Sequence, residues 1–142
     1  MKKLVVLAVA GVLLSAATPP QASVDIDVDG LRNAKGSVHA CLTRSPGHFP
    51  DCKSDPAALR QTVTAAAHRF HFEHLAPGRY AIAVFHDENN NLKLDKVAGI
   101  PKEGFAFSRN PSIKFRAPKF EEVVIDLPAG TRQAQLKMHY LL

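Results

Sequence analysis

The sequence predicts an all-β protein, an antiparallel β-sandwich of about seven strands with one long loop and at most a short helix. Three observations carry that reading: short segments alternate apolar and polar residues with period two, Gly and Pro turn signals separate them, and no long stretch has helical periodicity. The clearest alternation is Val24, Ile26 and Val28 against Asp25, Asp27 and Asp29, which puts one face in a core and three carboxylates in water.

The remaining elements follow in order. Lys2 and Lys3 precede an apolar run from Leu4 to Leu14, then small residues and the Pro19-Pro20-Gln21-Ala22 break, the pattern of a secretory signal. The run is short for a bilayer span. Cleavage is expected after Ala22, with Ala17 as the alternative, which leaves residues 23–142 as a single domain in a periplasmic or secreted compartment. Removing the leader lowers the formal charge from +5 to +3, because two lysines go and no acids. That mild excess gives no reason to expect nucleic acid.

Past the Ala34-Lys35-Gly36 turn, Val38, Ala40 and Leu42 mark a second strand. Cys41 and Cys52 form an even pair in an oxidising compartment, so a disulfide closing Leu42 to Asp51 is expected. Asp55 to Gln61 has a capping Asp followed by Pro and reads as a brief helix. His68, Phe70 and Phe72 alternate with Arg69, His71 and Glu73 in the next strand. Arg79 to Phe85 is apolar on both faces, as a central strand covered on both sides should be. Val123, Ile125 and Leu127 form another strand, and after the Pro128-Ala129-Gly130 turn Leu136, Met138 and Tyr140 form the last.

The segment Leu75-Ala76-Pro77-Gly78-Arg79-Tyr80 resembles the turn by which prealbumin-like and carboxypeptidase-regulatory-like sandwiches enter a central strand. Together with His86-Asp87-Glu88-Asn89, Gly99-Ile100-Pro101-Lys102-Glu103-Gly104-Phe105, Phe107-Ser108 and Pro118-Lys119-Phe120, it is similar to the bacterial secreted family called domain of unknown function 2141. The resemblance covers nearly all of the chain beyond the leader. It implies a prealbumin-like sandwich and carries no activity or catalytic residue with it.

Chemistry must therefore come from the residues. In a calcium loop of the EF-hand kind, oxygens come from positions 1, 3 and 5, a backbone carbonyl at 7, often position 9, and a bidentate acid at 12. Asp87, Asn89, Asn91, the Lys93 carbonyl and Asp95 fill the first five roles. Leu92 stands where glycine is usual, which costs on the order of 1 kcal/mol if that backbone is left-handed. Ala98 stands at position 12 and cannot coordinate, so Glu103 is the candidate for the missing carboxylate. Two readings stay open: a weak calcium site, or a turn in which Asp and Asn side chains bond their own backbone.

Other candidates are weaker. His68, His71 and His74 are spaced by three, but on a strand His68 and His74 share the Phe70 face while His71 points away, so they do not form a three-histidine metal site. His86 is placed to hold the entry to the Asp-Asn loop. The long loop from Gly99 to Phe120 carries Lys102, Arg109, Lys114 and Arg116 among four phenylalanines, an alternative surface for an anionic ligand, a glycan or a cell-envelope partner. No nucleophile elbow, zinc helix or phosphate loop is present, and no enzyme is expected.

Overall fold

The alternation at Val24, Ile26 and Val28 becomes strand β1 (Ala22–Asp29), with those three side chains buried, in a computed structural model that describes residues 1–142. Strand β2 (Ser37–Thr43) follows, then a short 3-10 turn (Pro46–His48), β3 (Leu59–Thr64), β4 (Arg69–Leu75) and the ten-residue β5 (Gly78–Asp87). A small hairpin, β6 (Lys96–Val97) and β7 (Ile100–Pro101), precedes β8 (Gly104–Phe107). The single helical turn α1 (Phe120–Val123), β9 (Ile125–Leu127) and β10 (Gly130–Lys137) complete the chain.

The strands form two sheets and the separate β6–β7 hairpin. One sheet has the order β10-β1-β4, and the other β3-β2-β5-β8, with β9 also on β5. The sandwich is therefore as expected, and antiparallel except at one seam. There β1 runs parallel to β10, from Ala22 opposite Gly130 to Asp29 opposite Lys137. Between the sheets lie Val24, Ile26, Val28, Phe70, Phe72 and Leu136 from one side, and Val38, Ala40, Leu42, Tyr80, Ile82 and Val84 from the other. Each large aliphatic side chain here contributes roughly 1.5–3 kcal/mol by leaving water.

The central strand is covered on its second face as well. Ala81, Ala83, Phe105 and Phe107 pack under Phe120, Val123 and Val124, with Phe49 and Ile113 alongside. The segment read as a long loop from Gly99 to Phe120 thus contains β7 and β8, and three of its four phenylalanines are buried. Val123 ends α1 and is not part of the following strand.

On its far edge β5 has two partners in succession: β8 along Ala83 to His86, and β9 along Gly78 to Tyr80. Ser108 fills the junction. Its amide donates to the Ile82 carbonyl at 3.1 Å. Its hydroxyl accepts from the Ile82 amide at 3.0 Å and donates to the Val123 carbonyl at 2.6 Å.

The helix expected at Asp55 to Gln61 does not form. Asp55 is buried, and its carboxylate accepts from the Thr43 hydroxyl at 2.5 Å and from the Ala57 amide at 2.9 Å, which makes an Asx turn. The Thr43 and Ala57 bonds hold that carboxylate below its ordinary range against the opposing effect of burial. From Leu59 the chain pairs with β2 over six positions. Two turns of helix gain little alone, so a long-range ladder wins. His74 also departs from expectation: the register of β1 and β4 shifts between Ala22 and Val24, His74 takes φ 58° and is exposed, and Leu75 turns inward instead.

Cys41 and Cys52 form the expected disulfide, with Cα atoms 6.6 Å apart. Residues before Ala22 lie outside any strand or helix, and no helix is long and apolar enough to cross a membrane.

Two stability outcomes follow. Ser108→Ala leaves the Ile82 amide and the Val123 carbonyl unpaired in a dry interior, so denaturant unfolding should show a loss of about 1–3 kcal/mol; an unchanged midpoint would refute the junction role. Cys41→Ser with Cys52→Ser frees a loop of ten residues, and the same measurement should show a loss of roughly 3 kcal/mol.

Candidate functional site

The Asp-Asn loop hangs from the end of β5, and its shape comes from two buried carboxylates. Asp87, the last residue of the strand, is fully buried. One oxygen accepts from the Asn91 amide at 3.0 Å. The other accepts from the Leu92 amide at 2.8 Å and from His39 Nε2 at 2.9 Å. Glu103, 4% exposed, reaches back as the sequence allows. Its oxygens accept the Glu88 amide at 2.9 Å and the Asp95 amide at 3.0 Å. A buried carboxylate is tolerated only with such donors around it.

The loop then bonds to itself. Asn89 Oδ1 accepts from the Asn91 amide at 3.3 Å, and Asn91 Oδ1 from the Lys93 amide at 3.0 Å. The side-chain amides of Asn89 and Asn91 both donate to the Asp95 carboxylate, at 2.8 Å or slightly more. Those donors hold the Asp95 carboxyl below the ordinary carboxylate range, with burial a lesser opposing effect. Leu92 has φ 65°, so the left-handed backbone is adopted at the position where calcium loops use glycine.

Asp87, Asn89, Asn91, Asp95 and Glu103 are thus drawn into one network. The Lys93 amide joins it. Glu103 braces the loop through both oxygens from a buried position, and no three acidic, histidine or cysteine side chains converge in a way that could hold a metal. For a hard cation, the fit rests on lone pairs left over. An Asp or Asn oxygen that accepts one N–H keeps a second acceptor direction, and Asp87, Asn89, Asn91 and Asp95 each retain such capacity.

The surroundings hold the loop's base. Gly36, at φ 67°, lies so close to the loop's first residues that a Cβ there would sit 2.0 Å from the Asp87 carbonyl oxygen. Arg32 donates to Glu88 at 2.7 Å, to the Lys102 carbonyl at 3.1 Å and to the Leu142 carbonyl at 2.7 Å, with its guanidinium over the Tyr140 ring. Burial alone would raise the Glu88 pKa, but the bonds from Arg32 and Asn33 outweigh it and the carboxyl is lowered. His86 does not bond the Asp-Asn loop as expected. Buried, it donates from Nε2 to the Lys35 carbonyl at 2.7 Å, so Nδ1 accepts from the Tyr140 hydroxyl at 2.9 Å.

His39 and Arg32 were not singled out from sequence. His39 points outward from β2, stacks on Phe85 with ring centroids 4.7 Å apart and spans Thr62 and Asp87. The visible signal is its place in the β2 alternation; its partners lie 23 and 48 residues away. The His68, His71 and His74 rings go to separate neighbours. His71 meets Asp25 at 2.5 Å and His74 meets Gln21 at 2.9 Å, while His68 lies 3.3 Å from Asp27 without hydrogen-bond geometry.

The basic positions are spread out. Lys102 sits beside the β6–β7 hairpin, near the His86 end of β8, whereas Arg109, Lys114 and Arg116 follow Phe107 at its other end. Arg109 donates to the Glu121 carbonyl at 3.3 Å. Arg116 makes a forked pair with Glu122, at 2.8 and 2.9 Å, and together with the Lys119 amide it lowers the Glu122 pKa to about 2. Lys114 lines a surface depression of about 380 Å³ beside the exposed Phe115.

Comparison with curated proteins and with solved structures finds no match for the chain. A family model does match residues 26–135, from within β1 to within β10, and the chain belongs to that family, described as an uncharacterized protein conserved in bacteria, DUF2141.

Proposed function

We propose that this chain is an exported, non-catalytic β-sandwich domain whose Asp87–Asp95 loop holds a calcium ion weakly. The observation that carries the reading is the left-handed Leu92, at φ 65°, beneath amides from positions 5 and 6 of the loop that both point at Asp87. A leucine in that conformation is costly, and the bonds that Asp87 accepts hold it there. The oxygens of Asp87, Asn89, Asn91, Asp95 and the Lys93 carbonyl are of the hard kind calcium takes. Half of this side-chain set is neutral amide, which fits the ~10⁻⁴ to 10⁻³ M affinity of extracellular calcium modules.

The non-catalytic reading rests on the histidines nearest the loop. His39 and His86 each have both ring nitrogens committed to protein partners, so neither is free to move a proton for a substrate. Export is supported by the apolar leader and by the disulfide, which belongs to an oxidising compartment. Within the leader we favour a cut after Ala17. Ala22 is 1% exposed and is paired with both Gly130 and Leu75, so a cut after it would remove a built-in part of β1.

Two measurements test this. Calcium at ten times its Kd should stabilise the mature protein by about 1.4 kcal/mol, a rise in Tm of roughly 5 °C over a chelator control. Asp95→Ala, at a partly exposed position, should fold and lose that rise; absence of any shift at 10 mM calcium would overturn the ion. For the leader, the intact mass of protein recovered from the periplasm should begin at Thr18, and a chain beginning at Ser23 would overturn the Ala17 boundary.

A further inference from the structure

The β6–β7 hairpin pairs with no other strand. Its two-residue turn, Ala98 at φ 51° and Gly99 at φ 80°, has the positive φ values of a tight primed turn and brings Val97 opposite Ile100. Both side chains face water, Val97 at 53% and Ile100 at 45% exposure, and Leu92 in the preceding loop is 73% exposed. Beyond the leader, the other exposed large apolar residues are Leu59, Phe115 and the terminal Leu141 and Leu142, so three of seven fall within these nine residues. Lys93, Lys96 and Lys102 flank them, all exposed and none in an ion pair.

A two-stranded hairpin alone is marginal in water. This one is clamped at its base, where the Lys102 amide donates to the Asp95 carbonyl at 2.8 Å, Glu103 holds the Asp95 amide, and Arg32 holds the Lys102 carbonyl. The result is a tip held at its base that exposes apolar side chains, with three lysines outside any ion pair nearby in the chain. Among its acidic neighbours Glu103 is buried and Asp95, partly exposed, keeps its negative charge, so the three lysines still outnumber the acid exposed beside them.

We propose that this hairpin docks on an anionic lipid surface, with Leu92, Val97 and Ile100 entering the headgroup boundary and the three lysines meeting lipid phosphates. Aliphatic insertion combined with basic side chains is the pairing such surfaces bind. Each lysine near an anionic leaflet adds to the attraction, and its stem stays apolar while the ammonium reaches phosphate. The docking does not require an ion in the neighbouring loop.

The test is sedimentation of the mature, disulfide-bonded protein with vesicles of phosphatidylglycerol and phosphatidylcholine, or of phosphatidylcholine alone, each in calcium and in chelator. Binding is expected to the anionic vesicles only, and to weaken as salt rises. Val97→Ser with Ile100→Ser should weaken it at least tenfold at unchanged Tm, whereas Phe115→Ser, in the loop leaving the other end of β8, should not. Absence of sedimentation with anionic vesicles, or equal binding by the double variant, overturns the proposal. So does concentration-dependent dimerisation that the double variant abolishes, which would assign the tip to a second copy of the chain. Vesicle binding in chelator with no calcium shift in Tm would sink the ion reading alone, and the reverse result would sink the docking alone.

Discussion

Strand β5 is enclosed on both faces and paired along both edges, and the remainder of the molecule is arranged around that constraint. Tyr80, Ile82 and Val84 face the main core, while Ala81 and Ala83 face the smaller cluster under Phe120, Val123 and Val124. A strand so placed needs partners for every amide and carbonyl, because no water reaches them. Strand β2 satisfies one edge; on the other, β8 and β9 divide the length and Ser108 spans the gap between them. The segment after β8 is then required as a cover, which is why Phe120 is buried although the intervening chain is irregular.

The same strand fixes the candidate site. It ends inside the protein at Asp87, so the chain turns out toward solvent carrying a carboxylate that must find donors in the interior. Asn91, Leu92 and His39 supply them, and Glu103 does the equivalent service for Glu88 and Asp95 from the other side. Two acids separated by sixteen positions thus set the loop's path from beneath. Each bond from a carboxylate to an amide is of the stronger, charge-assisted kind. The loop, the hairpin that follows it and the Arg32 contacts form one connected structure, anchored at a strand end that cannot shift without unpacking the core.

How much of this was legible in the sequence depended on the range of the forces involved. Period-two alternation exposed β1, β2 and β4, because burial of one face acts residue by residue, and a run apolar on both faces exposed β5. The disulfide was readable from the pair of cysteines and the expected oxidising compartment. Asp55 to Gln61, which includes the start of β3, was misread as helix because Asp55 and Pro56 make a good helix start in isolation, while the ladder of Leu59–Thr64 on β2 and the Thr43 bond to Asp55 act across the fold. The parallel pairing of β1 with β10 joins residues 108 apart, and no local pattern encodes it. At the site, the Asp-Asn spacing was visible, Leu92 was marked only as a cost if left-handed, and Glu103 was read as a candidate ligand without its bonds to the Glu88 and Asp95 amides. His39 and Arg32 were not, since their partners are set by register and by loop packing.

The bracing also bears on what an ion would add in the proposed reading. In an open loop, acidic side chains repel one another until a cation arrives, and binding then orders the chain. Here Asp87 and Glu103 already have amide donors, and Asp95 already accepts from Asn89 and Asn91, so much of the ordering is complete without metal. Calcium then meets a loop whose charge is partly compensated and whose shape is set. The entropy of ordering is small on binding, but so is the electrostatic gain, and the second effect lowers affinity toward millimolar calcium. With so little ordering left for the ion to drive, its consequence in this reading is added rigidity at the base of the β6–β7 hairpin.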